Sequence, residues 1–353
     1  MSRVVLAMSG GVDSSVAAWL LRAAGHDVTG VFMRHGQETC APSGAKPVCC
    51  SASDAADARR VAQRLEIPFY VLDFETSFAR LVDHFVEQYL AGRTPNPCIL
   101  CNTWLKFGKL LEYADAAGAE FITTGHHART IRQEDGQTAL LRGLDPAKDQ
   151  SYVLFGIDRA VLPRVLLPVG EHHKDEIRRI AAELELDVAD KRDSQEICFV
   201  PDQDHAGFIR RRCPGLATAG EVVTTDGMVV GRHDGYERFT VGQRHGLGIA
   251  LGEPYYVARI EPATCRVVLG RREDLARRAL TAGEANWLID PPQASFRAAV
   301  KIRYRSRAVD ATVRPLPANR FHVAFDEPRH GVAPGQAAVC YAGNRVLGGG
   351  WIE

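Results

Sequence analysis

The sequence predicts an α/β domain built on a parallel sheet and followed by small β-rich modules. Three observations predict it. Strand-like and helix-like segments alternate as far as about Asp204, and a glycine-rich turn joins the first strand directly to the first helix. Beyond Asp204, apolar residues alternate between recurrent turns such as Asp226-Gly227, Asp234-Gly235 and Gly343-Asn344.

The apolar runs at 3–8, 28–33, 69–72 and 121–124 are short and bounded by turn residues, as buried strands are. Helical spacing of apolar residues covers 12–24, 55–65, 75–91, 103–117 and 174–184, with Gly25 closing the first helix and Ser53-Asp54 reading as a cap for the second. The change of character near Asp204 marks one domain boundary, and a second is expected near Arg272.

Composition excludes some classes. With Lys plus Arg and Asp plus Glu at 43 each, a nucleic-acid site must be a local patch. No apolar run approaches the roughly 20 residues that span a bilayer. The start, with one cation and a short apolar stretch leading into glycines, does not read as a secretion signal, so a cytoplasmic protein without a membrane partner is expected. Cysteines stand at 40, 49, 50, 98, 101, 198, 213, 265 and 340. In a reducing compartment they suggest sulfur or metal chemistry before structural disulfides, and Cys265 and Cys340 read as small buried hydrophobes.

The turn after the first strand is Ser9-Gly10-Gly11-Val12-Asp13-Ser14-Ser15. Its glycines bring bare N–H groups close to phosphate oxygens, and the helix start behind them adds positive dipole. It lacks the Lys-Ser/Thr ending of a Walker A loop and the spacing of a dinucleotide fold. It resembles the SGGxDS motif of the PP-loop ATP pyrophosphatases, which implies ATP cleaved to AMP and pyrophosphate. Asp13 is expected to hold Mg²⁺ directly or through water.

The second feature is the run from Arg93 through Thr94-Pro95-Asn96-Pro97-Cys98-Ile99-Leu100-Cys101-Asn102. The prolines stiffen the segment, and Cys101 is expected near a helix start, where the dipole favours a thiolate. A further cysteine follows in Asp193-Ser194-Gln195-Glu196-Ile197-Cys198. The C-x-x-C spacing alone also fits half a zinc site or a redox pair.

Together these segments resemble one PP-loop family, the tRNA-specific 2-thiouridylases, along nearly the whole chain. The resemblance includes Cys49-Cys50-Ser51, Thr124-Gly125-His126, Lys148-Asp149-Gln150-Ser151-Tyr152, Gly242-Gln243-Arg244, Arg303-Tyr304-Arg305 and Ala333-Pro334-Gly335-Gln336. It implies a PP-loop catalytic domain over 1–204, a central β-rich domain over 205–271 and a C-terminal β-barrel over 272–353 that contacts tRNA. ATP would lie against Ala7, Met8, Ser9, Gly10, Gly11, Val12, Asp13, Ser14, Met33 and Gly125. The substrate would meet Asn96, Pro97, Cys98, His126, Lys148, Asp149, Gln150, Arg303, Tyr304 and Gln336.

The activity implied is 2-thiolation of the wobble uridine in the tRNAs for Lys, Glu and Gln. ATP adenylates the uracil oxygen, Cys198 carries a persulfide from a donor protein, and Cys101 lets the sulfur leave. A monomer is expected. Cys98 departs from the better-known members, which have Asp there. The change makes Cys98, Cys101 and Cys198 resemble the thiolate trio that holds a [4Fe–4S] cluster in some tRNA thiolases, so persulfide relay and cluster-bound sulfide stay open. A different class, a PP-loop amidoligase acting on a small metabolite, shares the loop but needs no cysteine pair.

On the RNA side, Lys301-Ile302-Arg303-Tyr304-Arg305-Ser306-Arg307 alternates, which in a strand would put four cations on one face. Such a face serves equally as a charged guard on an edge strand. The run Arg210-Arg211-Arg212 is a weaker candidate, since charge at a helix end is usually solvated.

Overall fold

A computed structural model describes residues 1–36, 52–191, 193, 197–200, 202–249 and 251–353. Cys40, Cys49, Cys50 and Ser194 to Glu196 lie outside the described residues. The chain forms two compact units: Met1–Leu81 with Cys98–Gln203 and Gly343–Val346, and Val82–Pro97 with Asp204–Ala342 and Leu347–Glu353.

The first unit is the α/β domain. Its elements are β1 (Arg3–Ala7), α1 (Val12–Ala23), β2 (Asp27–Arg34), α2 (Ala52–Arg64), β3 (Phe69–Asp73) and the start of α3 (Glu75–Leu90). There follow α4 (Pro97–Leu100), a π-helical stretch (Cys101–Lys109), α5 (Leu110–Ala116), β4 (Phe121–Thr124), the hairpin β5 (Ala128–Arg132) and β6 (Thr138–Arg142), β7 (Val165–Leu166) and α6 (Lys174–Glu183). The sheet runs β3-β2-β1-β4-β7, with parallel pairing throughout. Val4 to Ala7 of the central strand β1 are all buried, because helices cover both faces of a parallel sheet. Val12, Val16, Ala17 and Leu21 of α1 pack there with Ala58 and Val61 of α2 and Ile177 and Ala181 of α6.

The second unit contains α7 (His205–Arg212), a four-stranded sheet and a barrel. The sheet comprises β8 (Gly220–Thr224), β9 (Val229–His233), β10 (Tyr256–Glu261) and β11 (Arg266–Gly270), ordered β10-β11-β8-β9. The barrel comprises β12 (Ala276–Trp287), β13 (Phe296–Lys301), β14 (Val309–Leu316), β15 (Arg320–His330), β16 (Ala337–Ala342) and β17 (Arg345–Ile352). Its order β12-β15-β14-β13-β16-β17 is closed by pairing of β12 with β17, which removes the exposed edges. Phe321, Val323, Val313 and Cys340 fill its interior. Burial drives the Cys340 thiol up to about 12, as expected of a structural cysteine, whereas Cys265 is only half-buried.

Three local expectations are corrected. Asp54 is not a cap but a buried residue inside the first turn of α2. The helix expected to start at Thr103 starts at Pro97, whose missing N–H costs nothing at a first helical position. The cationic run does not form a strand face: β13 stops at Lys301, Lys301 and Ile302 are buried, and 303–306 turn away.

Candidate active site

The strand-to-helix turn is built as a cradle. Gly10 takes a left-handed φ of 72°, and a β-carbon on it would fall 2.2 Å from the Asp54 carbonyl oxygen. Ser14 and Ser15 donate to the Gly11 carbonyl at 3.1 and 2.9 Å, and the Ser9 amide donates to Ser14 Oγ at 3.2 Å. No side chain caps α1, so its N-terminus keeps amide donors for an anion. Gly125, at the end of β4, lets the sheet approach this helix start: a β-carbon there would stand 2.6 Å from the Ser14 nitrogen. Met8 is tied to β2 through its amide, 2.8 Å from the Val31 carbonyl oxygen, and Met33 lies two residues further along that strand.

Asp13 faces cations. Lys174 Nζ lies 2.7 and 2.8 Å from its two oxygens, and His127 Nε2 donates to Oδ1 at 3.0 Å. Burial pushes the Asp13 carboxyl up, but the His127 hydrogen bond and the Lys174 charge outweigh it, so the group sits below the usual carboxylate value. Lys174 also reaches Asp193 at 2.8 Å, and Asp193 accepts from Lys148 at 2.8 Å and Arg178 at 3.2 Å. Burial raises Asp193, yet these lysines hold it down to about 2. Lys191 donates to the Gly10 carbonyl at 2.9 Å and to Asp54 and Asp57, each at 2.6 Å. Lys174, Lys191 and His127 escaped the sequence reading because lone cations far apart in the chain carry no local signal.

The remaining candidates divide. His126 is buried, and that burial, with the charges of Lys106 and His127, holds it well below the ordinary histidine value and therefore neutral. Its Nδ1 lies 2.7 Å from Thr124 Oγ1. Gln150 exchanges hydrogen bonds with the His127 backbone, 2.8 Å to its amide and 2.9 Å to its carbonyl. Asp149 Oδ1 accepts from the Gly143 and Ser151 amides, while its Oδ2 is buried without a partner among the described residues.

Cys98 is exposed in the first turn of α4, and Cys101 begins the following π-helical stretch. The dipole argument made for Cys101 therefore belongs to Cys98. Asn102 beside it is buried and donates to the Val153 carbonyl at 3.0 Å. Cys198 is half-buried, followed by the buried Phe199. Phe199 meets Phe78 edge-on at 5.7 Å, and Phe78 stacks on His35 at 4.0 Å. Among the described residues no group of three His, Cys, Asp or Glu side chains is placed to hold a metal ion.

In the second unit, Thr94 and Pro95 precede the half-buried Asn96 and buried Pro97. Gln336 Nε2 donates to the Thr94 carbonyl at 2.8 Å, so its amide supports this segment. Arg303 donates to the Val241 carbonyl at 2.7 Å and packs on Gly242 and Gly331. It is an internal brace, whereas Tyr304, Arg305 and Arg307 are exposed. Arg210 pairs with the buried Glu237 at 2.8 Å and Arg212 with Asp83 at 2.7 Å, which accounts for two of that cationic run.

Three family models match: a tRNA methyl transferase HUP domain over 2–202, a tRNA methyl transferase PRC-barrel domain over 207–271 and an aminomethyltransferase β-barrel domain over 277–352. The tRNA-specific 2-thiouridylase MnmA of Rhodopirellula baltica is 52% identical, covering 100% of this chain and 96% of that protein. The chain belongs to the tRNA-specific 2-thiouridylase family. The MnmA proteins of Geotalea uraniireducens, 50% identical over 99% of this chain and 95% of theirs, and Clostridium perfringens, 46% over 99% and 98%, agree. Among solved structures, a 4-thiouridine synthetase–RNA complex with bound ATP matches 57% of this chain and 45% of that one at 18% identity and a TM-score of 0.37, too slight to add weight. Membership in the thiouridylase family accounts for both the nucleotide cradle and the cysteines, which an amidoligase would not need.

Proposed function

We propose that this chain uses ATP to replace the 2-oxygen of the wobble uridine of tRNA with sulfur. The observation that carries the reading is one compact unit holding both the Ser9-to-Ser14 cradle and the cysteines at 98, 101 and 198, in a chain whose full-length relatives are 2-thiouridylases. The family-model descriptions speak of methyl transfer, but a nucleotide cradle and paired thiols suit activation and sulfur transfer. The matched spans, 2–202, 207–271 and 277–352, lie close to a division into 1–204 for catalysis, 205–271 as a central module and 272–353 for tRNA contact, which is the division proposed.

Bare amides at the start of α1 and the Gly10–Gly11 turn hold the ATP phosphates. The uracil 2-oxygen attacks the α-phosphorus, the bond to the β-phosphate oxygen breaks, and pyrophosphate leaves. Asp13, held below the usual carboxylate value and partly open to solvent, is the carboxylate that would hold Mg²⁺, and the ion would supply charge to balance the leaving pyrophosphate. The terminal sulfur of a Cys198 persulfide then attacks C2, and AMP departs with the former uracil oxygen. The Cys101 thiolate attacks the Cys198 sulfur; the S–S electron pair stays on the transferred sulfur, and a Cys101–Cys198 disulfide remains for an external thiol to reduce. The [4Fe–4S] alternative would instead have Cys98, Cys101 and Cys198 hold a cluster, and iron analysis of protein purified anaerobically decides between the two routes.

A persulfide-carrying protein supplies the sulfur, the enzyme acts as a cytoplasmic monomer, and Tyr304, Arg305 and Arg307 meet the RNA. Among the described residues no helix is long and apolar enough to cross a membrane. Pyrophosphate release from ATP tests the activation step: it depends on added tRNA under this reading, and release with a small carboxylate or amide in place of tRNA overturns it.

A further inference from the structure

The Asp13 carboxylate is held unevenly. An ionised carboxylate offers about four sites to donors, two on each oxygen. Oδ1 receives both Lys174 and His127, while Oδ2 receives Lys174 alone. One site on Oδ2 is thus left, on a side chain 27% exposed beside the cradle. That oxygen fits a hard cation such as Mg²⁺, and the grip on Oδ1 decides where Oδ2 points.

Of the two donors, Lys174 turns on a flexible stem and is shared with Asp193. The His127 ring is the rigid one. It is buried, and its Nε2 carries a proton, since the carboxylate it meets can only accept. A histidine that serves a metal site is ordinarily fixed by a bond at its second ring nitrogen. His127 Nδ1 is buried without a partner among the described residues, so the aim of the ring is set through its backbone. Gln150 grips that backbone from both sides: its Oε1 accepts from the His127 amide at 2.8 Å, and its own amide donates to the His127 carbonyl at 2.9 Å. Gly143 closes in on the same carbonyl, where a β-carbon would stand 2.7 Å from the oxygen. Gln150 thus turns its side-chain oxygen inward, and its amide nitrogen is left for the substrate it is expected to meet.

We propose that His127 is a positioning residue for the activation step: gripped by Gln150, it holds Asp13 by Oδ1 and so keeps Oδ2 free for the Mg²⁺ that would accompany ATP. The segment expected to meet tRNA and the carboxylate beside the nucleotide are then tied through one imidazole. His127 acts through Asp13 alone. The proposal rests on the ATP-dependent reading of the site.

The test is calorimetric binding of α,β-methylene-ATP to the full chain without tRNA, repeated across a Mg²⁺ series, so that no catalytic step enters. In the wild type the nucleotide binds more tightly as Mg²⁺ rises. His127→Phe fills the same space without a donor and raises the half-saturating Mg²⁺ by about tenfold or more, with the loss of nucleotide affinity confined to buffers that contain Mg²⁺. His127→Gln returns an N–H donor at similar reach and stays within about threefold of the wild type. Gln150→Leu, which makes no contact with Asp13, shifts the half-saturation upward by about threefold or more, and the double variant shifts no further than His127→Phe, since both act on one link. Gln150→Leu and His127→Gln carry the test should His127→Phe fail to fold. Wild-type binding indifferent to Mg²⁺, a half-saturation unmoved in the folded variants, an equal rise in His127→Gln, shifts that add in the double variant, or affinity lost equally with and without Mg²⁺ overturns the positioning role alone. Wild-type protein that binds no nucleotide at any Mg²⁺ concentration overturns the functional reading, and the role of His127 with it.

Discussion

Lys174 Nζ stands within 2.8 Å of both carboxylate oxygens of Asp13, joining residues 161 positions apart at the mouth of the nucleotide cradle. The His127 hydrogen bond and this Lys174 pair together explain why the Asp of the SGGxDS-like motif stays ionised although most of it is buried. Removing Asp13 takes away one of the two carboxylates that Lys174 meets and leaves Asp193 at 2.8 Å, so the cost falls below the about 3–5 kcal/mol of a fully broken buried pair. Asp13→Asn is therefore expected to lower thermal stability by a few degrees and to weaken ATP binding about tenfold or more, both read by calorimetry.

The cradle tolerates no β-carbon where sheet and helix meet. Gly125→Ala places a methyl 2.6 Å from the Ser14 nitrogen and 2.8 Å from the Asp13 carbonyl carbon, both backbone atoms that cannot step aside. The expected cost is about 1–3 kcal/mol of stability, with ATP affinity reduced in parallel. Gly136→Ala, on an open turn with nothing within 4 Å, meets no such backbone atom and should leave ATP affinity unchanged.

Acid sensitivity follows from Asp193. Its carboxyl is held at about 2, below its unfolded value of 3.8, so its stabilising share is complete above about pH 4 and is lost as pH falls toward 2. The group is partly solvated, which limits the share to on the order of 1 kcal/mol. Melting curves of wild type and Asp193→Asn should converge between pH 4 and pH 2 and stay separated at pH 6. Equal separation at every pH contradicts this assignment.

Much of the nucleotide site was legible because it is local. A strand, a six-residue turn and a helix are contiguous, and their periodicity and glycines say what the backbone must do. Four of the five strands of the sheet, β1 to β4, and α6 were legible for the same reason. Lys174, Lys191 and Asp193 were not, since their meaning lies in contacts across the fold. The start of the cysteine helix was misplaced because proline at a first helical position looks like a breaker from sequence, and the π-helical stretch at Cys101 has no periodic signature of its own. Arg303 was expected on a strand face from an alternation that the turn after β13 interrupts.

Arg303 and its neighbours should separate brace from RNA contact. Arg303→Gln leaves Gly242 and Gly331 facing a gap and the Val241 carbonyl without its donor, so a loss of about 1–3 kcal/mol in stability is expected. Arg305→Gln and Arg307→Gln should instead leave the melting temperature alone, weaken tRNA binding, and lower the salt slope by about one each.

The cysteines distinguish the sulfur routes. Persulfide relay predicts that Cys101→Ser and Cys198→Ser lose thiolation by about a hundredfold or more while tRNA-dependent pyrophosphate release persists. Cys98→Asp should keep activity within about threefold in protein purified anaerobically and free of iron. Activity that tracks iron content and vanishes on chelation would replace the relay with the cluster route.

The most direct measurement is mass spectrometry of nucleosides from an unmodified tRNA for Lys, Glu or Gln incubated with the pure protein, ATP, Mg²⁺ and a persulfide donor. A 2-thiouridine at the wobble position, formed with one AMP and one pyrophosphate per sulfur and lost in Cys198→Ser, is the predicted result. ATP cleaved to AMP with no sulfur entering the tRNA, or thiolation that survives Cys198→Ser, would contradict it.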